Sequence, residues 1–264
     1  MRISNILLMV IFPTTALAEW ETNMPRGVTP TSEVAYDLHM LIFYITVVIG
    51  ILVFSAMLYS IIYHRKSLGH EPAKFHESTK VEIIWTVIPF IILVGMAIPA
   101  TKALIMMEDT RDSEITVKVT GYQWMWQYEY LEDDVSFFSK IDNESNVARR
   151  LGSNVDVKKV KNYLRNVDNA VVLPTNTKVR ILLTANDVIH AWWVPELGGK
   201  KDAIPGFVNE LWVDIKEPGT YRGQCAELCG KDHGFMPIVV HAVSKPEYYK
   251  WVGIQKTNKV AKNK

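Results

Sequence analysis

Cysteine is almost missing from this chain, with two among 264 residues. That scarcity excludes a small scaffold stapled by several disulfides. Neither cysteine belongs to a C-x-x-C-H run, so the chain carries no covalent c-type haem attachment motif. Excess charge is missing as well: 29 basic and 28 acidic residues leave a formal net charge of +1. A near-neutral chain is a poor match for a polyelectrolyte, so nucleic acid is not expected as a partner. Charge of either sign is absent from two stretches, Met40 to Tyr63 and Ile83 to Thr101. A helix needs about 20 apolar residues to cross a bilayer, and each stretch reaches that length. Runs apolar on every face fit a membrane better than the core of a soluble protein.

The N-terminus is basic at Arg2, apolar from Ile6 to Phe12, and ends in Ala16-Leu17-Ala18. This is the pattern of a secretory signal peptide, here residues 1–18, removed after Ala18. Residues 19–107 then form an N-terminal segment and a two-helix hairpin, with spans at about 40–63 and 83–101. The connection between the spans is basic, with Arg65, Lys66, Lys74 and Lys80, whereas Glu33, Asp37, Glu108 and Asp109 lie at the other ends. Positive loops stay in the cytoplasm. Both mature termini and everything after the second span are therefore expected outside, the bacterial inner membrane being the implied location. Glu82 sits on the cytoplasmic side of the second span, and Thr79-x-x-Glu82 has the form of a capping box.

The exported part, residues 108–254, reads as short strands. Ile115, Val117 and Val119 alternate with Thr116, Lys118 and Thr120, Trp124, Trp126, Tyr128 and Tyr130 alternate with Met125, Gln127 and Glu129, and Val179, Ile181 and Leu183 give a third set. Further strands are expected at 211–215, 219–222 and 238–243, separated by Gly, Pro and Asn, a spacing that points to a β-sandwich or barrel. Residues 133–169 are polar and read as a surface insertion with local helix near Val157 to Leu164. A short helix opens at Pro246, and 255–264 form a basic tail.

Both cysteines fall in one run, Cys225-Ala226-Glu227-Leu228-Cys229-Gly230-Lys231-Asp232-His233-Gly234-Phe235-Met236. Two thiols, an imidazole and a thioether at C-x3-C-x3-H-x2-M spacing make a soft ligand set of the kind that selects copper. A mononuclear electron-transfer site needs one cysteine; two sulfurs can bridge a pair of copper ions. The loop supplies one histidine, so a second imidazole must come from elsewhere, and His190 in Asp187-Val188-Ile189-His190 is the best candidate. An exported Cys pair can also form a disulfide, and Cys and His can also hold zinc. A disulfide leaves the fixed His and Met unexplained, and a thioether is a poor zinc ligand.

The runs VEIIWTVIP, GYQWMWQYEY, DVIHAWWVP, KKDAIPG and GQCAELCGKDHGFMPIVV, in this order, resemble the subunit II family of cytochrome c oxidases over essentially the whole mature chain. The resemblance implies a membrane helical hairpin joined to an all-β, cupredoxin-like Greek-key domain with a binuclear copper A centre. It implies Cys225 and Cys229 as bridging ligands and His190 and His233 as terminal ones. Met236 becomes a weak ligand to one copper, and the backbone carbonyl of Glu227 a ligand to the other. It also implies a magnesium reached by the Glu227 carboxylate and shared with subunit I, where the haem resides. Electrons would arrive from cytochrome c through Trp124 and leave for that haem, where oxygen is reduced to water with proton translocation. Glu82 would lie at the mouth of a proton path. Subunits I and III and membrane lipid are the implied neighbours. Glu129, Glu132, Asp133 and Asp134 are either a docking patch for a lysine-rich cytochrome or a solvated turn. Tyr122, Met125 and Phe207 depart from common family residues, and none is a metal ligand.

Overall fold

The computed structural model describes residues 23–69, 71, 74 and 76–262. The signal-peptide expectation for 1–18 lies outside the described residues. Two long helices come first, α1 (Pro30–Tyr63) and α2 (Thr79–Met107). Both outrun the apolar stretches. At 1.5 Å per residue α1 is about 50 Å long, well beyond the ~30 Å hydrocarbon thickness of a bilayer. The additional turns at the start of α1 follow from a capping box. Ser32 N donates to Thr29 Oγ1 at 3.1 Å, and Thr29 N donates to Ser32 Oγ at 3.0 Å, with Pro30 in the first turn. Along the spans the apolar side chains point outward: Leu52, Phe54, Ile91 and Phe90 are more than 60% exposed.

The expected capping box at Thr79 does not form. Ser78 is the N-cap, without a side-chain hydrogen bond, and Thr79 is the first helical residue. The pattern was one residue out of register, so Glu82 falls one position past where a capping box needs it.

Among the described residues ten strands follow: β1 (Ile115–Tyr122), β2 (Met125–Tyr130), β3 (Val135–Ser139), β4 (Val171–Pro174), β5 (Val179–Ala185), β6 (His190–Trp193), β7 (Lys200–Ala203), β8 (Asn209–Val213), β9 (Gly219–Cys225) and β10 (Pro237–Val243). They form two five-stranded sheets, in the orders β3-β2-β1-β5-β8 and β4-β10-β9-β6-β7. The pairs β1/β5 and β4/β10 are parallel and the other pairs antiparallel. The inward residues of the alternating strands, among them Val117, Val119, Trp126, Tyr128, Ile181 and Leu183, meet Ile238 and Val240 of the second sheet in one core. Two of its polar tips find partners, Trp192 Nε1 donating to Tyr128 Oη at 3.3 Å and Tyr130 Oη bonding both backbone groups of Val172 at 2.9 Å, whereas the buried Trp126 Nε1 has none.

Three expectations need correction. The polar stretch 133–169 begins with strand β3, which pairs with β2; burial of Val135 against the core outweighs the polar neighbours. Its helix is α3 (Asn143–Ala148), capped by Asp142, whereas Val157–Lys159 makes only a 3-10 turn. The terminal helix α4 (Lys245–Lys262) continues through most of the segment expected as a tail. Tyr248 and Val252 anchor it in the core, and its lysines remain compatible with helix.

The sandwich is bonded to both long helices. Thr29 Oγ1 donates to Leu197 O at 3.0 Å near the start of α1, and Trp212 Nε1 donates to Met106 O at 3.1 Å near the end of α2.

Candidate metal centre

Strand register brings the candidate ligands together. β6 pairs with β9, with Trp192 opposite Cys225, so His190 at the start of β6 and Cys225 at the end of β9 lie at the same end of two adjacent inner strands. The loop 226–236 leaves β9 and returns as β10, the adjacent strand. Both roots of the loop are pinned: Ala226 N donates to Ala191 O at 2.9 Å, and Cys225 N to Met236 O at 3.2 Å. Its middle is held from the first sheet, where Gln123 Nε2 donates to Cys229 O at 2.7 Å and Trp124 Nε1 to the same oxygen at 3.3 Å.

Cys225 and Cys229 are free thiols, both buried, with their sulfurs 3.9 Å apart. A disulfide sulfur pair lies near 2.05 Å, so the two are unbonded. The Nδ1 of His190 lies 3.9 Å from Cys225 Sγ, and the Nδ1 of His233 lies 3.6 Å from Cys229 Sγ. The Glu227 carbonyl oxygen is 3.3 Å from Cys225 Sγ, while the Glu227 side chain is exposed. Met236 is fully buried at the far root of the loop. Ligand atoms of His190, Cys225 and Cys229 all lie within 4.8 Å of one another. The donor set fits copper: converging thiolates and imidazoles, with a buried thioether at the edge. With metal–thiolate bonds near 2.3 Å, sulfurs at this spacing can share an ion.

His190 is fully buried, and its environment explains its orientation. Its Nε2 is hydrogen-bonded at 2.9 Å to Asp187 Oδ1, leaving Nδ1 directed at Cys225. Asp187 in turn accepts from the Gln123 and Val188 amides at 2.7 Å. A carboxylate behind a ligating imidazole fixes its tautomer and ring plane. Burial pushes the Asp187 carboxyl up, but the His190 and amide hydrogen bonds prevail and hold it below its ordinary value. Trp126 packs edge-on to the imidazole with centroids 5.8 Å apart. Gly121 makes room for it, since a Cβ there would stand 2.7 Å from His190 Cδ2.

The two thiols titrate as a pair. Burial raises both, yet hydrogen bonds from His190 and the Ala191 amide bring Cys225 below its ordinary value. Burial and the neighbouring Cys225 charge push Cys229 up. One proton therefore leaves easily and the second resists until a cation compensates the pair.

Trp124 lies in the turn between β1 and β2, half-buried, with Lys231 Nζ 5.5 Å from its ring centroid. The acidic residues considered with it lie elsewhere. Glu129 lies about 13 Å along β2 from its first residue, Met125, at ~3.3 Å per residue, and Glu132 and Asp133 lie beyond it. Glu129 pairs with Lys118 at 2.9 Å, Glu132 accepts from Thr116 N, and Asp133 accepts from Tyr248 Oη. These contacts assign the three structural work away from the indole. Glu82 lies in the first turn of α2, at the other end of the hairpin from the sandwich. Asp187, Gln123 and Gly121 were not singled out from sequence. Asp187 had a readable signal, standing three residues before His190.

Comparison with known proteins agrees along the chain. The family described as "Cytochrome C oxidase subunit II, periplasmic domain" matches residues 115–243, and "Cytochrome C oxidase subunit II, transmembrane domain" matches 17–103. The chain is 38% identical over 267 residues to the "Probable cytochrome c oxidase subunit 2" of Rickettsia bellii, covering 99% of this chain and 95% of that one. It is 36% identical to "Cytochrome c oxidase subunit 2" of Arabidopsis thaliana, covering 94% and 95% respectively. Among solved structures, the periplasmic domain of subunit II of cytochrome oxidase of Bradyrhizobium japonicum is 37% identical. It covers 56% of this chain and 98% of its own, with a TM-score of 0.48.

Proposed function

Since the chain belongs to the cytochrome c oxidase subunit II family, we propose that it receives electrons from cytochrome c at a binuclear copper A centre and delivers them to the haem of subunit I. Family membership makes it a membrane-spanning, copper-bearing subunit of a haem-copper terminal oxidase that assembles with other oxidase subunits.

The observation that carries this proposal is the convergence of the buried Cys225, Cys229 and His190 with the half-buried His233, with Met236 and the Glu227 carbonyl at the margin. A bound copper pair supplies reversible one-electron exchange with little change in its surroundings. This chain's residues do the rest. Cys225 and Cys229 present two thiolates side by side, and His190 is aimed by Asp187 while His233 is presented by the loop. Trp126 and Met236 keep water out. Trp124 offers the contact toward a donor, its indole N–H bonded directly to the Cys229 carbonyl. That single hydrogen bond supports Trp124 as the point of electron arrival.

The Glu227 side chain, exposed beside the site, is proposed to reach a magnesium shared with subunit I. Glu82, on the opposite side of the membrane, is proposed to serve proton uptake. The basic connector between the helices supports a cytoplasmic turn and hence a periplasmic sandwich in a bacterial inner membrane. Subunit III is proposed as a further neighbour.

The test is metal analysis of the purified oxidase together with electron spin resonance. Two coppers per subunit II and hyperfine coupling shared between two nuclei are expected. A Cys225–Cys229 disulfide in the active, metallated complex, or zinc in the site, overturns the reading.

A further inference from the structure

Arg149 stands at the C-terminal end of α3, in the polar segment 133–169, and it reaches the loop 226–236. Its Nη1 and Nη2 lie 3.3 and 3.5 Å from the two carboxylate oxygens of Asp232. Its guanidinium lies 4.3 Å over the ring of Phe235, and its Nε donates to Asn146 Oδ1 at 2.9 Å. The side chains of Arg149 and Asp232 are 22% and 26% exposed, so solvent screens the pair less than an ordinary surface pair.

The platform behind Arg149 is braced. Asp142 caps α3 by accepting from Ser145 N at 2.6 Å. Leu164 N donates to Ser145 Oγ at 3.1 Å, and Arg222 Nη2, on β9, donates to Asn166 Oδ1 at 3.4 Å. The loop, in contrast, is unevenly held. Its first half is bonded to β6 and to the β1–β2 turn, through Ala226 and the Cys229 carbonyl. Its second half, apart from the root bond from Cys225 N to Met236 O, relies on short-range bonds, His233 N to Gly230 O and Phe235 N to Asp232 O, and on Gln224 Nε2 to Gly234 O. Asp232 and Phe235 bracket this half, and His233 lies between them.

We propose that Arg149 is a positioning residue of the metal centre, through which the polar segment clamps the outer half of the loop and cancels the Asp232 charge beside His233. This rests on His233 being a copper ligand. Two consequences follow from the chemistry of the pair. Without Arg149 the turn 233–235 loses its bidentate and ring contacts and moves more freely. The Asp232 carboxylate also remains uncompensated one residue from a ligand, where negative charge favours the oxidised, more positive metal.

The test compares Arg149→Gln, Asp232→Asn and the double variant in the intact oxidase. The midpoint potential of the copper centre is followed optically, along with the rate of copper loss to a chelator. R149Q is expected to lower the potential, D232N to raise it, and the double variant to return it close to the starting value. Copper loss from R149Q should be about tenfold faster, as for other groups that orient ligands from behind. R149K keeps the charge without the fork, so its potential should stay near the original while copper loss is accelerated. Amide hydrogen exchange of residues 232–235 in the copper-free complex should also quicken in R149Q. Potentials that move in the same direction in both single variants, or not at all, overturn the proposal. An unvaried oxidase without copper would instead defeat the ligand reading, leaving hydrogen exchange to judge the mechanical clamp alone.

Discussion

The helical hairpin and the β-sandwich place their apolar side chains in opposite ways. On α1 and α2, Leu52, Phe54 and Ile91 face outward and stand more than 60% exposed; in the sandwich, Trp126, Leu183 and Ile238 are fully enclosed. The hairpin thus depends on lipid and neighbouring subunits for the burial that the sandwich provides for itself. Chemistry is distributed accordingly. The hairpin holds an ionisable group, Glu82, in its first α2 turn, whereas the sandwich gathers two thiols and two imidazoles at one end. A buried cluster of that kind needs the rigid surroundings that only the self-contained part supplies.

That contrast can be broken by experiment. The largest effect is expected for Cys225→Ser: one remaining thiolate cannot bridge, so the spin resonance signal shared between two nuclei should vanish. An unchanged signal would refute the bridging assignment. Trp126→Ala should destabilise the sandwich by about 3–5 kcal/mol, the usual range for emptying a large core aromatic, read as a fall in its unfolding temperature. Copper should loosen alongside, because the same indole packs on His190. Asp187→Asn should weaken copper binding about 10–100-fold, measured by chelator competition, with little change in fold. Trp124→Leu should leave copper content normal but slow reduction by cytochrome c by about tenfold, equivalent to ~1.4 kcal/mol of barrier. A normal rate in stopped-flow mixing would remove the indole from the path. The smallest effect belongs to the hairpin: Leu52→Ala should change sandwich unfolding by less than about 0.5 kcal/mol. A larger shift would mean that the two parts are stabilised jointly.

What could be read from sequence divides along the same boundary between local and distant. Cys225, Cys229, His233 and Met236 were legible because their spacing alone places them in one loop, and the spans because absence of charge is a local property. The strand alternations of β1, β2 and β5 were visible for the same reason. β3 was hidden, since its inward residues Val135 and Phe137 stand among Asp, Ser and Lys, and only pairing with β2 explains their burial. Thr79 looked like a cap because Thr79-x-x-Glu82 has the motif's spacing, whereas the helix starts one residue earlier, from Ser78. Gln123, Asp187 and Arg149 act on groups 106, 3 and 83 positions away. For Gln123 and Arg149 no sequence period announces such a meeting; it exists only once the sheets are stacked.

The bonds from Thr29 to Leu197 and from Trp212 to Met106 join the sandwich to the tops of two different helices. A body fastened at a single point can rock; fastened at two, it loses that hinge. Tunnelling falls off exponentially with gap, so even slight tilting would scatter transfer times. On the proposed reading, these two bonds would restrain the height of the Cys225–Met236 loop over the helix ends, and with it the distance an electron must cross.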